Sequence, residues 1–179
     1  MHPRTRELLD HLDRSQAGLR AAIDAAPAPL RDRSPGPDRW SVAQIVEHLA
    51  HTAAQVATLL GRGLRQLEKA GLRPAGDLPP VLPTIDQQRL LDRNRKVAAP
   101  PTVQPKHGLS CEQAWQTFTE SRAALVDTLR AGDGIDVGSI KAPHPALGEI
   151  DFHQWIAFVG LHEQRHTEQI RVTAGQPGS

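Results

Sequence analysis

Apolar residues recur at helical spacing in four long segments of this chain, and this periodicity constrains its fold more than any other feature. The segments run from about Pro3 to Ala25, from Ser41 to about Gly71, from Ser110 to about Gly132 and from Asp151 to about Thr173. Side chains three and four residues apart share one face of a helix, so each segment predicts an amphipathic helix. No segment shows a convincing strand pattern. The sequence therefore predicts an all-α four-helix bundle, with sites built between facing helices.

Capping residues mark the starts of three of these helices. Ser41 with Gln44 and Ser110 with Gln113 have the form of a capping box, in which each side chain bonds the backbone N–H of the other residue. Asp151 is placed to cap the last helix. These residues predict where the helices begin.

Two connections separate the later helices. Residues 72 to 109 are rich in Pro, Arg and Lys and are expected to be mostly loop, with a short helix around Asp86 to Val97. So long a loop in a compact domain is often functional or mobile. Residues 135 to 150 contain Pro143, Pro145 and Gly148 and predict a second connection.

Length and charge restrict the class of protein. A chain of 179 residues fits a single domain, 1–179. The net charge of +1, from 21 basic and 20 acidic residues, favours no nucleic-acid or membrane-surface partner. The single Cys suits a reducing compartment. No apolar run approaches the about 20 residues of a membrane span, and the charged N-terminus lacks a secretory signal. We expect a cytoplasmic protein.

The last helical segment carries a His-Glu-x-x-His motif at positions where its pattern calls for core residues. His162 and His166 are four residues apart, so their imidazoles stand one turn apart and can turn toward one metal ion. The motif is also the signature of zinc metalloproteases, with Glu163 as the general base. We set that interpretation aside because Gln169 and Val172 stand where the longer protease motif continues with Gly and His.

A third ligand must then come from upstream. His48 lies beside the apolar stripe of the second helix and is the best candidate, with His51, one turn further on, in reserve. A site of three imidazoles leaves positions open for water or substrate, as catalytic metal centres do. Such a site accepts a divalent Zn, Ni, Fe or Mn ion.

Several motifs, taken in this order and spacing, resemble those of the DinB/YfiT superfamily over nearly the whole chain. They are Trp40-Ser41 followed by His48, then His144-Pro145, Gly148-Glu149-Ile150, Trp155, His162-Glu163, His166 and Gln169-Ile170. The resemblance implies a bundle with an up-down-down-up course. It also implies a divalent metal held by His48, His162 and His166. Relatives with known activity include thiol S-transferases that use bacillithiol, mycothiol or glutathione, and a mycothiol-dependent maleylpyruvate isomerase.

Other polar residues admit two interpretations. Glu163 is a partner of the ligands, a general base or a solvated helix residue, and we favour a helper role in catalysis. Cys111 lies in the first turn of the third helix, where the helix dipole could lower its pKa, although a lone Cys is more often a small apolar residue. His107, His144 and His153 lie in or next to connections and are interpreted as residues that bind no metal.

The long connection also carries a cluster of basic residues, Arg89, Arg93, Arg95 and Lys96. They could bind an anionic thiol near the bundle mouth, but a solvated charged face is the favoured interpretation.

The functional hypothesis is a metal-dependent enzyme acting on a small-molecule substrate. Activation of a low-molecular-weight thiol would give S-transfer, and activation of water would give hydrolysis. The alternative is a non-catalytic binding or stress-response module whose metal is structural or absent. A homodimer is a further expectation.

Overall fold

The computed structural model describes residues 1–37, 39–94, 98–106 and 108–175. Arg95, Lys96 and His107, considered above as candidate functional residues, lie outside the described residues. Within these ranges, no helix joins enough length to enough apolar character to traverse a lipid bilayer. The helices are α1 (Pro3–Ala25), α2 (Ala28–Arg31), α3 (Val42–Ala70), α4 (Gln87–Leu91), α5 (Cys111–Ala131) and α6 (Phe152–Thr173).

The long helices begin where the capping residues predicted. Ser41 accepts the backbone N–H of Gln44, whose side chain accepts the N–H of Ser41 in return, and Ser110 and Gln113 repeat this arrangement. Asp151 caps α6 with a third reciprocal pair of bonds. Each box satisfies backbone N–H groups that would have no partner inside the helix. The three predicted starts are confirmed.

Two hydrophobic clusters fix the directions of the long helices. One joins the C-terminal parts of α1 and α6 to the N-terminal parts of α3 and α5. The other joins the opposite ends of the same four helices. Helices α1 and α6 therefore run parallel to each other and antiparallel to α3 and α5, which confirms the up-down-down-up course. Because α3 and α5 point the same way, residues 72 to 109 must return the chain along a helix of 29 residues, a span of about 43 Å.

The return segment is tied to the bundle by hydrogen bonds at several points. The carboxylate of Glu7 in α1 accepts the backbone N–H groups of Val81 and Leu82, at 2.7 and 3.0 Å. Arg165 in α6 donates from Nη1 to the carbonyls of Leu90 and Asp92, at 3.1 and 2.5 Å. Helix α4 ends at Leu91 and residues 92–94 are not helical, so the expected helix from Asp86 to Val97 is too long; residues 95–97 lie outside the described residues.

A two-stranded antiparallel hairpin precedes α6, and the expectation of no strand was wrong there. Its strands are β1 (Lys141–His144) and β2 (Gly148–Asp151). Each has four residues, and Pro143 interrupts the first, so neither shows the apolar alternation by which strands are predicted. The turn ends at Gly148, whose φ of 76° lies in the left-handed region that glycine adopts without strain. The hairpin places His144 beside α6.

Close approach of α1 to α6 depends on Gly160. A Cβ atom at this position would lie 2.3 Å from His11 Nε2, so a larger residue would push the two helices apart. His11 instead donates from Nε2 to the carbonyl of Ala157 at 3.1 Å. This hydrogen bond and the absence of a side chain at Gly160 hold α6 close to α1.

Burial of His153 at the start of α6 predicts a loss of stability on acidification. The residue is 4% exposed, and burial lowers the pKa of its imidazole to about 4. Because the unfolded pKa is higher, near about 6.5, the folded state binds the proton less well. The stabilising contribution is complete above about pH 6.5 and is lost as the pH falls, by about 3 kcal/mol at pH 4.

Urea unfolding of the metal-free protein at neutral pH and near pH 4.5 measures this loss. The variant His153→Gln should lose less unfolding free energy between the two pH values than the wild type, because glutamine does not titrate. Equal losses in the two proteins would contradict the prediction.

Candidate metal centre

Three histidines from two helices meet at one point inside the bundle. His48 projects from α3, and His162 and His166 project from α6. The Nε2 atom of His162 lies 3.3 Å from Nε2 of His48 and 3.1 Å from Nε2 of His166. Ligand atoms of all three rings lie within 4.8 Å of one another. The structure thus brings together the three residues that the sequence proposed as ligands.

Two of the rings are held by hydrogen bonds from their outward nitrogens. His48 Nδ1 donates to the carbonyl of Val103 at 2.8 Å, and His166 Nδ1 donates to Oε1 of Gln169 at 2.7 Å. Since a neutral imidazole carries one proton, these bonds keep Nδ1 protonated and leave an unshared pair on each Nε2. Metal-binding histidines are oriented in this manner in proteins.

The third ring shows why the trio fits a cation. The Nδ1 atom of His162 is buried and has no partner among the described residues. Its Nε2 can donate to only one of the two neighbouring acceptors, so one unshared pair is left without a proton. A divalent ion would accept an unshared pair from the Nε2 atom of each of the three rings. Tetrahedral ligands with bonds of about 2.1 Å lie about 3.4 Å apart, close to the two shorter separations observed.

The surroundings keep the trio neutral. Burial lowers the pKa of His48, and it lowers the pKa of His166 to about 3. The pKa of His162 falls well below its ordinary value because of burial, with further lowering by the charges of His166 and His48. Neutral imidazole is the form that binds metal, so the protein does not have to release protons for an ion to bind near neutral pH.

The trio opens onto a large cavity between α3 and α6. The cavity has a volume of about 1500 Å³. Trp155 and Phe158 provide an apolar wall, and the hairpin contributes His144. The return segment contributes Arg89, Leu90, Arg93 and most of residues 98–103. The long connection therefore forms part of the wall of the cavity that the histidines face.

A model of the DinB superfamily matches residues 11–170, a range that includes all three histidines. The chain belongs to the DinB superfamily. The uncharacterized protein YuaE of Bacillus subtilis (strain 168) is 26% identical to it over 147 residues, which cover 78% of this chain and 80% of that protein. No solved structure gives a significant match.

Glu163, also on α6 of this DinB-superfamily chain, faces away from the cavity. Its Oε1 accepts a bond of 2.8 Å from Arg122 Nε of α5, and its Oε2 accepts the hydroxyl of Ser15 in α1. The side chain is fully buried, so the interpretation as a solvated residue was wrong. Burial raises the pKa of this carboxyl, while Arg122 and Ser15 oppose the shift. The structure gives Glu163 a role in joining three helices.

Two other candidates, His51 and Cys111, lie outside the trio. His51 directs Nδ1 to the carbonyl of Gln104 at 3.2 Å, and its Nε2 lies 3.9 Å from Glu47 Oε1. Cys111 is the small apolar residue that the sequence analysis favoured, since burial and the nearby carboxylate of Asp32 raise the pKa of its thiol to about 11 and the helix dipole does not lower it. Its thiol is therefore protonated and packs in the core.

His144 lines the cavity although sequence reasoning set it aside. Its ring lies 4.3 Å from that of Phe158, which stacks on His162 at 5.2 Å. Its Nδ1 accepts the backbone N–H of Ala146 at 3.1 Å, which leaves the proton on Nε2. The role of Gln169 as the acceptor of the His166 Nδ1 proton was also missed, and its spacing of three residues from His166 was the available signal. No sequence signal marks the carbonyl of Val103.

Proposed function

We propose that this protein is a metal-dependent enzyme that acts on a small molecule bound in the cavity. The observation that carries the proposal is the convergence of three neutral imidazoles at the wall of a cavity of about 1500 Å³. Three protein ligands are the usual number at a catalytic metal, since a position remains for substrate. Imidazole ligands favour zinc, nickel or iron over manganese, which prefers oxygen.

The ion would supply Lewis acidity, which lowers the pKa of a thiol or water molecule beside it. The protein's own residues orient the site. Val103 and Gln169 hold the rings of His48 and His166, and Trp155 and Phe158 exclude water from the neighbouring wall. Such fixed partners preserve the geometry on which this kind of catalysis depends.

Room for two reactants favours thiol S-transfer over hydrolysis. Typical small-molecule pockets have volumes of about 300–1,000 Å³, and the cavity of about 1500 Å³ is larger. In the transfer, the thiol gives up its proton to solvent and the sulfur forms a bond to an electrophilic carbon. The bond from that carbon to its leaving group breaks, and the leaving group takes the electron pair. His144 lines the cavity and would donate its Nε2 proton to a reactant there.

Cobalt substitution tests the proposal. We expect bacillithiol, mycothiol or glutathione to produce a thiolate-to-cobalt charge-transfer band in the near ultraviolet, because the cavity-side position accepts sulfur. S-methylglutathione, which has no free thiol, should produce none. The variant His162→Ala should lose the band. If cobalt is bound and no thiol perturbs its spectrum, S-transfer is wrong, and hydrolysis or a non-catalytic binding role takes its place.

A further inference from the structure

Guanidinium groups border the cavity at several points. Among the described residues that line it there is no Asp or Glu, and there are five arginines: Arg39, Arg62, Arg89, Arg93 and Arg165. The whole chain has nearly equal numbers of basic and acidic residues, 21 and 20. Composition therefore does not explain the segregation of positive charge on this wall.

Most of these charges have no counter-ion among the residues that the structure describes. The side chains of Arg39, Arg62, Arg89 and Arg93 form no ion pair with any residue in the described part of the chain. Arg165 differs, because it holds two carbonyls of the return segment. Single exposed arginines are ordinarily solvated. Several that border one concave, partly apolar surface add their potentials and attract anions.

The charges are spread along the cavity. Arg39 precedes α3, whereas Arg62 lies on α3 about four turns, or about 21 Å, beyond His48. Between them the wall contains apolar side chains, such as Leu59 and Phe158, together with polar ones, such as Gln55. A ligand that contacts both arginines is therefore elongated, with negative charge toward both ends.

From this arrangement we propose that the cavity binds an elongated small molecule bearing at least two anionic groups, carboxylate or phosphate. Guanidinium recognises both groups through paired hydrogen bonds of fixed geometry. The inference rests on the proposed function, since it names the substrate class of the same site. It also replaces the favoured interpretation of Arg89 and Arg93 as a merely solvated face, because both line the cavity.

A pair of fluorescent dyes tests the inference on metal-free protein. Anilinonaphthalene sulfonate is an apolar anion, and phenylnaphthylamine has the same aromatic skeleton without the sulfonate. We expect Arg62→Gln to weaken binding of the anionic dye by about 10-fold, the effect of losing one hydrogen bond to a charged group. The double variant Arg89→Gln/Arg93→Gln should weaken it at least as much. Binding of the neutral dye should not change.

Arg65→Gln is the matched control. Arg65 is exposed on the same helix, one turn from Arg62, but does not line the cavity. Its variant should bind both dyes as the wild type does. Equal affinity of the anionic dye for all four proteins would overturn the proposal, as would equal losses for the two dyes in the cavity variants.

Displacement of the anionic dye identifies the preferred group. Citrate represents carboxylate ligands and pyrophosphate represents phosphate ligands. Displacement by either supports the proposal, and the one effective at lower concentration names the group. Displacement by neither overturns it. Because the dye experiment uses no metal, its failure leaves the cobalt–thiol result intact, and failure of that result leaves anion binding intact.

Discussion

Replacing His162 with alanine is expected to abolish stoichiometric metal binding. The wild type should bind one divalent ion per chain, and affinity should fall by more than the about 10–100-fold that follows loss of a partner to a ligand. His162 is the central member of the trio, because its Nε2 lies within 3.3 Å of both other Nε2 atoms. His48→Ala and His166→Ala should have the same effect. Metal content by mass spectrometry of untagged protein, with competition titration against a chelator, measures it.

His51→Ala provides the matched control for this experiment. His51 lies on the same helix one turn from His48, but it is directed to Gln104 and Glu47. Its variant should retain metal. The metal affinity of Gln169→Leu should lie between that of His51→Ala and that of the three ligand variants. This substitution leaves the ligands in place and removes only the acceptor of the His166 Nδ1 proton. Near-equal metal in the wild type and all three ligand variants would refute the assignment.

Neutralising Glu163 is expected to cost about 3–5 kcal/mol of unfolding free energy, the usual effect of leaving a buried charge without its partner. Arg122 is 2% exposed, and its Nη1 and Nη2 atoms have no partner among the described residues. The carboxylate of Glu163 at 2.8 Å is thus the charge that compensates it. Glu163→Gln keeps the shape of the side chain and removes that charge. Urea unfolding at neutral pH measures the difference.

The reciprocal variant and the double variant decide whether the pair acts as a unit. Arg122→Met should lose a similar amount, because it leaves the carboxylate buried without its guanidinium. The double variant Arg122→Met/Glu163→Leu should recover most of the loss, since an apolar pair often replaces a buried ion pair without cost. Losses that simply add in the double variant would show that the two residues act independently.

An exposed ion pair gives a reference value for these losses of unfolding free energy. Arg20 and Asp24 are joined at 2.7 Å on the surface of α1, where their side chains are 37% and 51% exposed. Asp24→Asn, which leaves Arg20 over the ring of Trp115, should change stability by no more than about 1 kcal/mol. If Glu163→Gln binds cobalt and thiol as the wild type does, once folded, Glu163 has no part in the chemistry of the cavity.

Much of the fold could be predicted because it depends on local sequence. Capping at Ser41 and Ser110 requires only residues three positions apart, and the helical period reports which positions are buried. The hairpin around Pro143 escaped prediction because its short strands carry no apolar alternation. The ion pair of Glu163 with Arg122 could not be predicted for another reason. Adjacent residues of a helix point about 100° apart, and only the packed bundle shows that His162 and Glu163 face different neighbours.

The candidate site could likewise be predicted only where it depends on local sequence. Spacing within α6 and the resemblance to the DinB superfamily pointed to the trio. The carbonyl that orients His48 belongs to Val103, 55 positions away in sequence. Every residue has a backbone carbonyl, so the residue type at position 103 does not indicate this contact. Convergence of Arg39 and Arg62 with Arg89 on one cavity likewise depends on the path of the return segment. The helix position of Cys111 left open a lowered pKa for its thiol, whereas burial raises that pKa.

The parallel pairing of α1 with α6 bears on the order in which the molecule folds. While the chain is being synthesised, α1 lacks its main partner helix until α6 emerges, although α3 and α5 can already associate. Closing contacts between elements so far apart in sequence slows folding and prolongs exposure of apolar surface. His48 and His162 are separated by 114 positions, so the metal site is completed only when this last helix docks. A bound ion would therefore favour the finished bundle over every partly folded intermediate.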